Sequence, residues 1–406
     1  MRPRLRLIGT IALGAAALVS AAMITGEAPA RGANGLDERA GATAGVCRTL
    51  AETWREAGGV PDQVEIAGRS RPVLDLSSRG VVPGVDIQHA LQAAFDAAAA
   101  MPEPILFLPP TPAGERYLRS GRVTLAAAGA ELCGYGARLV GVDAADLGFG
   151  VEADGIGLYG LTLEAPPDAF SDWAERWRGS SGAGPPRKFL SSGRRFGLWA
   201  SHVILFDARD VILRDMTLLG ARRGGMRLYS VSNVLIEGAC VYRPHSDGIH
   251  IVNGSEHVTV RGSRVIESGD DCISVVTYDR DEQPRTVSDV LIEGNVCAGS
   301  RTRGLTVIGG DDVDIIGNEV RDTLMAGILL YPSPSHNTYP VRNVTVAGNR
   351  LDGAGLRRDR CNNCGDVVVN DPGGMIENVT IGENDIVRRP TGSPVRTGAS
   401  CAPAGR

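Results

Sequence analysis

The sequence predicts an all-β protein: a single-stranded, right-handed parallel β-helix with an N-terminal capping helix. Three observations carry this. One short phrase recurs along the chain, apolar and polar residues alternate within it, and Gly or Asn marks the bends between units. The phrase reads "DVILRDMTL" from Asp210, "NVLIEGACV" from Asn233, "HVTVRGSRV" from His257, "DVLIEGNVC" from Asp289, "DVDIIGNEV" from Asp312, "NVTVAGNRL" from Asn343 and "NVTIGENDI" from Asn378. Successive starts lie 23, 24, 32, 23, 31 and 35 residues apart, a basic period near 23 with added loop in some units. A second strand set, "GGMRLY", "DGIHI", "DCISV", "RGLTV", "AGILL" and "GDVVV", lies between the phrases. Units this short leave no room for a helix and lack the leucine spacing of leucine-rich repeats. Their β-branched excess suits stacked strands.

The remaining segments follow in chain order. "MRPRLRLIGTIALGAAALVSAAMITGEAPA" combines three arginines, an apolar run and an Ala28-Pro29-Ala30 site, the pattern of a secretory signal peptide over residues 1–30. Losing three arginines and Glu27 takes the formal net charge from −5 to −7. A mildly acidic, exported chain is a poor nucleic-acid binder. No later apolar run approaches the ~18 residues of a membrane span, so the expectation is a secreted, extracellular monomer with no membrane contact after cleavage.

Residues 31–75 form an N-terminal flanking segment. "GVDIQHALQAAFDAAAAM" follows, an amphipathic helix with Asp86 at its N-cap and Ile87, Ala90, Leu91, Ala94 and Phe95 on its apolar face. It covers the exposed strand edges and core at the solenoid's start. The catalytic β-helix domain is expected over 76–390. Residues 391–406, rich in Pro, Gly, Ser and Thr, are expected to be a flexible tail tied down at most by Cys401. Residues 166–190 break the strand pattern; Trp173 and Trp177 there either wall a carbohydrate cleft or dock a short helix on the barrel.

Eight cysteines remain after cleavage, an even number in an oxidising compartment, which favours disulfides. Cys361 and Cys364 form the one C-x-x-C, with no second ligand pair for zinc. Neither metal nor cofactor is expected.

The chemistry-bearing stretch is "HSDGIHIVNGSEHVTVRGSRVIESGDDCISV", residues 245–275. Neighbouring turns of such a solenoid sit about 4.8 Å apart, and Asp270 follows Asp247 by 23 residues, one turn. Asp247, Asp270 and Asp271 should therefore cluster. Three carboxylates so close cannot all ionise freely, and a raised pKa is what a general acid needs near neutrality. With Ile249 and Ile251 pointing inward, His250 points out, as do Ser274, Thr306, Leu329 and Tyr331 on later turns; this row is the expected substrate floor.

"PHSDGIHI" followed one turn later by "SGDDCISV" resembles the signature of glycoside hydrolase family 28, the polygalacturonases, whose fold is the pectin lyase-like β-helix. The resemblance implies Asp270 as general acid, Asp247 and Asp271 positioning and deprotonating the attacking water, inversion at the anomeric carbon, and a Cys272–Cys297 disulfide. His245 stands where the family has Asn. The family's Gly-His-Gly motif falls on Thr302-Arg303-Gly304, and its Arg-Ile-Lys carboxylate grip on Leu329-Leu330-Tyr331. Arginine cannot exchange a proton near neutral pH, so Arg303 can hold an anion or orient an aspartate only.

The expectation is a secreted glycoside hydrolase acting on a pectic or related polysaccharide or oligosaccharide. Asp247, Asp270 and Asp271 are its catalytic residues; His245, His250, Ser274, Arg303, Thr306 and Tyr331 bind substrate. Two alternatives stand beside it: a uronate lyase or epimerase using Tyr242, His245 and Arg303, and a non-catalytic glycan-binding β-helix.

Overall fold

A computed structural model describes residues 34–142, 148–166, 201–279, 285–357, 361, 363–396 and 400–401. The expected signal peptide and the tryptophan-bearing loop from residue 167 onward lie outside the described residues. Strands stack in sequence order into three sheets, of twelve, ten and nine strands among the described residues, and each turn contributes one strand to each sheet in rotation. A representative turn runs through Ser232–Glu237 in the first sheet, Cys240–Tyr242 in the second and Ile249–Val252 in the third. Among the described residues the strands pair in parallel, except in a hairpin of Gln63–Ile66 with Arg69–Asp75 at the N-terminal edge, and one isolated antiparallel bridge joins Tyr278 and Thr338. This is the predicted parallel β-helix.

The recurrent phrase has a backbone reason. Asp210, Asn233, His257, Asp289, Asp312, Asn343 and Asn378 all have φ between 50° and 56°. Each opens its phrase inside a first-sheet strand, and the register skips it: Arg209 pairs with Ser232, then Val211 with Val234. Left-handed backbone is tolerated best by Asn and Asp among residues with a side chain. The repeat is therefore legible as a column of polar bulge residues ahead of each apolar run.

Inward residues of all three sheets, such as Val234, Ile236, Val241, Ile249 and Ile251, form one continuous core. Among the described residues two α-helices pack on the solenoid. The second, α2 (Gln88–Ala98), buries Leu91, Ala94, Phe95 and Ala98 at the N-terminal end of the core, with Phe95 edge-on to Phe149 at 5.6 Å. Its formal N-cap is Ile87, which makes no side-chain cap, yet the Asp86 carboxylate accepts the Gln88 N–H at 3.0 Å. The first, α1 (Asn34–Ala57), occupies the flanking segment that sequence reading left without structure. Leu36, Ala40, Ala44, Cys47 and Leu50 of α1 cover Ile105, Phe107, Tyr159, Ile212 and Leu235 on the outer face of the first sheet. The Cys47–Cys133 disulfide and ion pairs Arg39–Glu131 (2.8 Å) and Asp37–Arg261 (2.6 Å) fix α1 there. No described helix is long and apolar enough to cross a membrane.

All eight cysteines pair: Cys47–Cys133, Cys240–Cys401, Cys272–Cys297 and Cys361–Cys364. Four disulfides place the chain in an oxidising, extracytoplasmic compartment. The C-terminal segment folds back along the solenoid. Arg388 pairs with Asp366, Arg389 and Arg396 both pair with the buried Asp322, and Cys401 anchors the end.

Candidate active site

The corner between the second and third sheets carries the polar groups. Ile249 pairs with Ile273, and Ile273 with Leu305. Counting back along each turn, Asp247, Asp271 and Arg303 form one column, and Ser246, Asp270 and Thr302 the next. The local period is 24 residues rather than 23, so it is Asp271 that lies level with Asp247. Close stacking here depends on glycine. A Cβ on Gly248 would stand 2.6 Å from the Cys272 carbonyl oxygen, and one on Gly304 2.3 Å from that of Gly327.

The three aspartates offer carboxylate oxygens that all lie within 4.8 Å of one another. Asp247 and Asp271 are buried, whereas the Asp270 side chain is 43% exposed and faces the cleft. Asp247 accepts from His250 Nδ1 at 2.8 Å, Ser274 Oγ at 3.2 Å and Ser246 Oγ at 3.1 Å. Asp271 accepts from Thr306 Oγ1 at 3.0 Å and Arg303 Nε at 2.6 Å. Arg303 Nη2 reaches Asp270 Oδ1 at 3.1 Å, and the Thr302 hydroxyl lies 2.9 Å from Oδ1 of both Asp270 and Asp271. The Arg303 guanidinium thus bridges the paired acids Asp270 and Asp271.

Electrostatics separates the acids. Burial pushes the Asp271 carboxyl up, Arg303 opposes this, and the neighbouring charges of Asp270 and Asp247 add to burial, leaving it raised to about 7. Asp247 is also driven up by burial, but His250 and Arg227 overcome that and hold it well below the usual carboxylate range. The two buried acids are thus driven in opposite directions: Asp247 is held ionised, and Asp271 is raised to about 7. Arg303 is held charged by Asp271 and Asp270 against the opposing effect of its own burial. Burial and the Asp247 charge push the Tyr278 phenol up to about 12, so it stays a neutral donor.

The residues expected to form a floor stand in register as a column. Arg227, His250, Ser274, Thr306 and Leu329 lie side by side on the outward face of the third sheet. Tyr331 follows, half-buried, and Leu329 itself is fully covered. His245 sits half-buried in the corner two residues before Asp247. Thr302, Ser246 and Arg227 were not singled out from sequence. Thr302 stands level with Asp270 on the next turn, a signal available only once the register is known.

The same fold recurs among solved structures. The surface adhesin PfbA of Streptococcus pneumoniae matches with a TM-score of 0.55 at 14% identity, over 79% of this chain and 82% of that one. The catalytic domain of a family 87 α-1,3-glucanase in complex with nigerose matches at 0.52 and 14% identity, over 80% of this chain but 56% of that one. An exopolygalacturonase from Thermotoga maritima matches at 0.48 and 15% identity, over 82% of this chain and 96% of that one. No family model matches the sequence, and no curated protein matches it significantly. Fold and comparisons together make this a right-handed parallel β-helix protein of the pectin lyase-like architecture. Glycoside hydrolases and surface adhesins share that scaffold.

Proposed function

We propose that the chain is an exported, monomeric glycoside hydrolase that cleaves a pectic or related polysaccharide by acid–base catalysis, with no metal or cofactor. One observation carries the reading: three carboxylates share a corner whose surroundings lower the pKa of one and raise its neighbour's to about 7. Asp270, the exposed member, delivers the proton to the leaving oxygen. Asp271 passes that proton to Asp270 through the Thr302 hydroxyl, which lies 2.9 Å from both carboxylates, and Asp247, oriented by His250 and Ser274, takes the proton of the attacking water. His245, Thr306 and Tyr331 contribute to the substrate floor beside this set. The resemblance to family 28 supports inversion at the anomeric carbon. Acids this close are tighter than the gap of about 6.5–9.5 Å usual for inverting enzymes, so NMR of the first-formed anomer tests that step separately.

The binding-protein reading retains one specific support. Arg303 replaces the family's histidine and ties up Asp270 and Asp271 in ion pairs. The lyase reading fares worse: burial and Glu267 raise the Tyr242 phenol, opposite to what a proton-abstracting phenolate needs. The test is product release by wild type and Asp270→Asn over pectic, xylan and neutral glycans. Reducing ends from the wild type alone support hydrolysis, ultraviolet-absorbing unsaturated products overturn it in favour of a lyase, and glycan binding without turnover overturns it in favour of the binding protein.

A further inference from the structure

The floor column is chemically lopsided. Arg227 stands one rung before His250, on the N-terminal side of the acids, and Leu329 stands one rung beyond Thr306, on the C-terminal side. Arg227 is 6% exposed, and among the described residues its Nε has no hydrogen-bond partner. Next to it in register, His250 is 4% exposed and its Nε2 is likewise without a partner among the described residues. Two adjacent buried polar atoms left open in this way are costly unless a ligand or solvent oxygen meets them.

The surroundings say what kind of ligand suits them. Arg223 lies in the corner immediately before Asp247, level with Ser246, and is close enough to Arg227 and Asp247 to feel both charges. Tyr229 lies beneath the Arg227 guanidinium at 5.9 Å and stacks with Phe206 at 5.1 Å and 12°, both half-buried on the outer face. An aromatic shelf offers a face for a sugar ring, and two guanidiniums at its edge offer charge-assisted hydrogen bonds to a planar or tetrahedral anion.

We propose that Arg227 and Arg223 form an anionic-sugar subsite on the N-terminal side of Asp247, with His250 Nε2 meeting a hydroxyl of the same ring and Phe206 and Tyr229 beneath it. Carboxylate and sulfate share the required chemistry. This assignment rests on the glycan-cleft reading above and gives that cleft a direction, with its cation grip at the opposite end from the Arg-Ile-Lys position.

The test is calorimetric titration of the full mature chain carrying Asp270→Asn, which separates binding from turnover. The probes are trigalacturonate, its methyl ester, a sulfated galactose trisaccharide and its desulfated form. The expected result is binding of at least one charged probe about ten-fold or more tighter than its neutral counterpart. Arg227→Gln and Arg223→Gln should each weaken binding of the charged probe by more than that of its neutral counterpart and so erase that preference. Preference for trigalacturonate identifies a uronate, and preference for the sulfated sugar a sulfate ester. Equal affinity for charged and neutral probes, or equal losses on both in the variants, overturns the subsite. Arg223, half-buried, keeps the test decisive if Arg227→Gln fails to fold. Charge-selective binding with no turnover by the wild type leaves the subsite standing and removes the hydrolase. Turnover without charge selectivity does the reverse.

Discussion

Two corners of the same solenoid stack polar side chains turn upon turn, and they do so to opposite ends. At the corner between the first and second sheets, Ser263, Asn295, Asn318, Asn349 and Asn384 form a ladder. Each backbone N–H donates to the next side-chain oxygen at 2.9 Å, and the asparagine amides donate onward to carbonyls and to one another. At the corner between the second and third sheets the stacked groups are Asp247, Asp271 and Arg303, where like charges adjoin and a buried cation must offset them. An amide carries both donor and acceptor, so a column of amides satisfies itself. A column of carboxylates cannot, and holds together only by keeping a proton or a cation. The first corner is what a solenoid does for stability; the second costs stability, as the proposed acid–base site would.

The largest effects should separate the two corners. Asp247→Asn or Asp271→Asn is expected to lower glycan hydrolysis by about 10³-fold, within the usual range for acid–base groups, with the chain still folded by circular dichroism. Asn318→Ala should do the converse. It strands the Asn295 N–H and the Ile292 carbonyl in the core, and urea denaturation should show a loss of about 3 kcal/mol, while turnover at low temperature stays at the wild-type level.

Smaller effects sharpen the electrostatic side. The Arg303 cation lowers the Asp271 pKa against burial, so Arg303→Gln should raise it and move the basic limb of the pH–rate profile upward by about one unit. An unchanged limb would mean that Asp271 does not carry the kinetically required proton. The subtlest effect is on stability. An aspartate whose folded pKa is raised contributes stability that is fully present below its unfolded pKa, near 3.9, and lost as pH rises through its folded value of about 7. Wild type should therefore lose stability relative to Asp271→Asn between about pH 4 and 7. Thermal melts across that window check the slope.

Much of the fold was legible because its cause is local. Each turn needs a left-handed residue at the head of its first-sheet strand, and Asp, Asn or His supplies it, which wrote the period into the sequence. The aspartate cluster was legible for the same reason, although a 24-residue step changed which acid lies level with Asp247. The long-range parts were not legible. Helix α1 is defined by the face it covers: its apolar positions are mostly alanines, and its anchors Glu131 and Arg261 lie far along the chain. Thr302 and Arg227 belong to the site only because neighbouring turns bring them there. Arg227 sits in no motif, and Thr302 fills a motif position with a residue that the motif does not have.

The most direct test of the account is an infrared titration of the protonated-carboxyl band, taken as the difference between wild type and Asp271→Asn in the folded protein. The account predicts a carboxylic acid that persists to neutral pH, disappears with an apparent pKa near 7 and is absent from the variant. If every carboxyl in the wild type has ionised by about pH 5, with no difference band, the corner holds no proton to give, and the contrast with the asparagine ladder loses its chemical meaning.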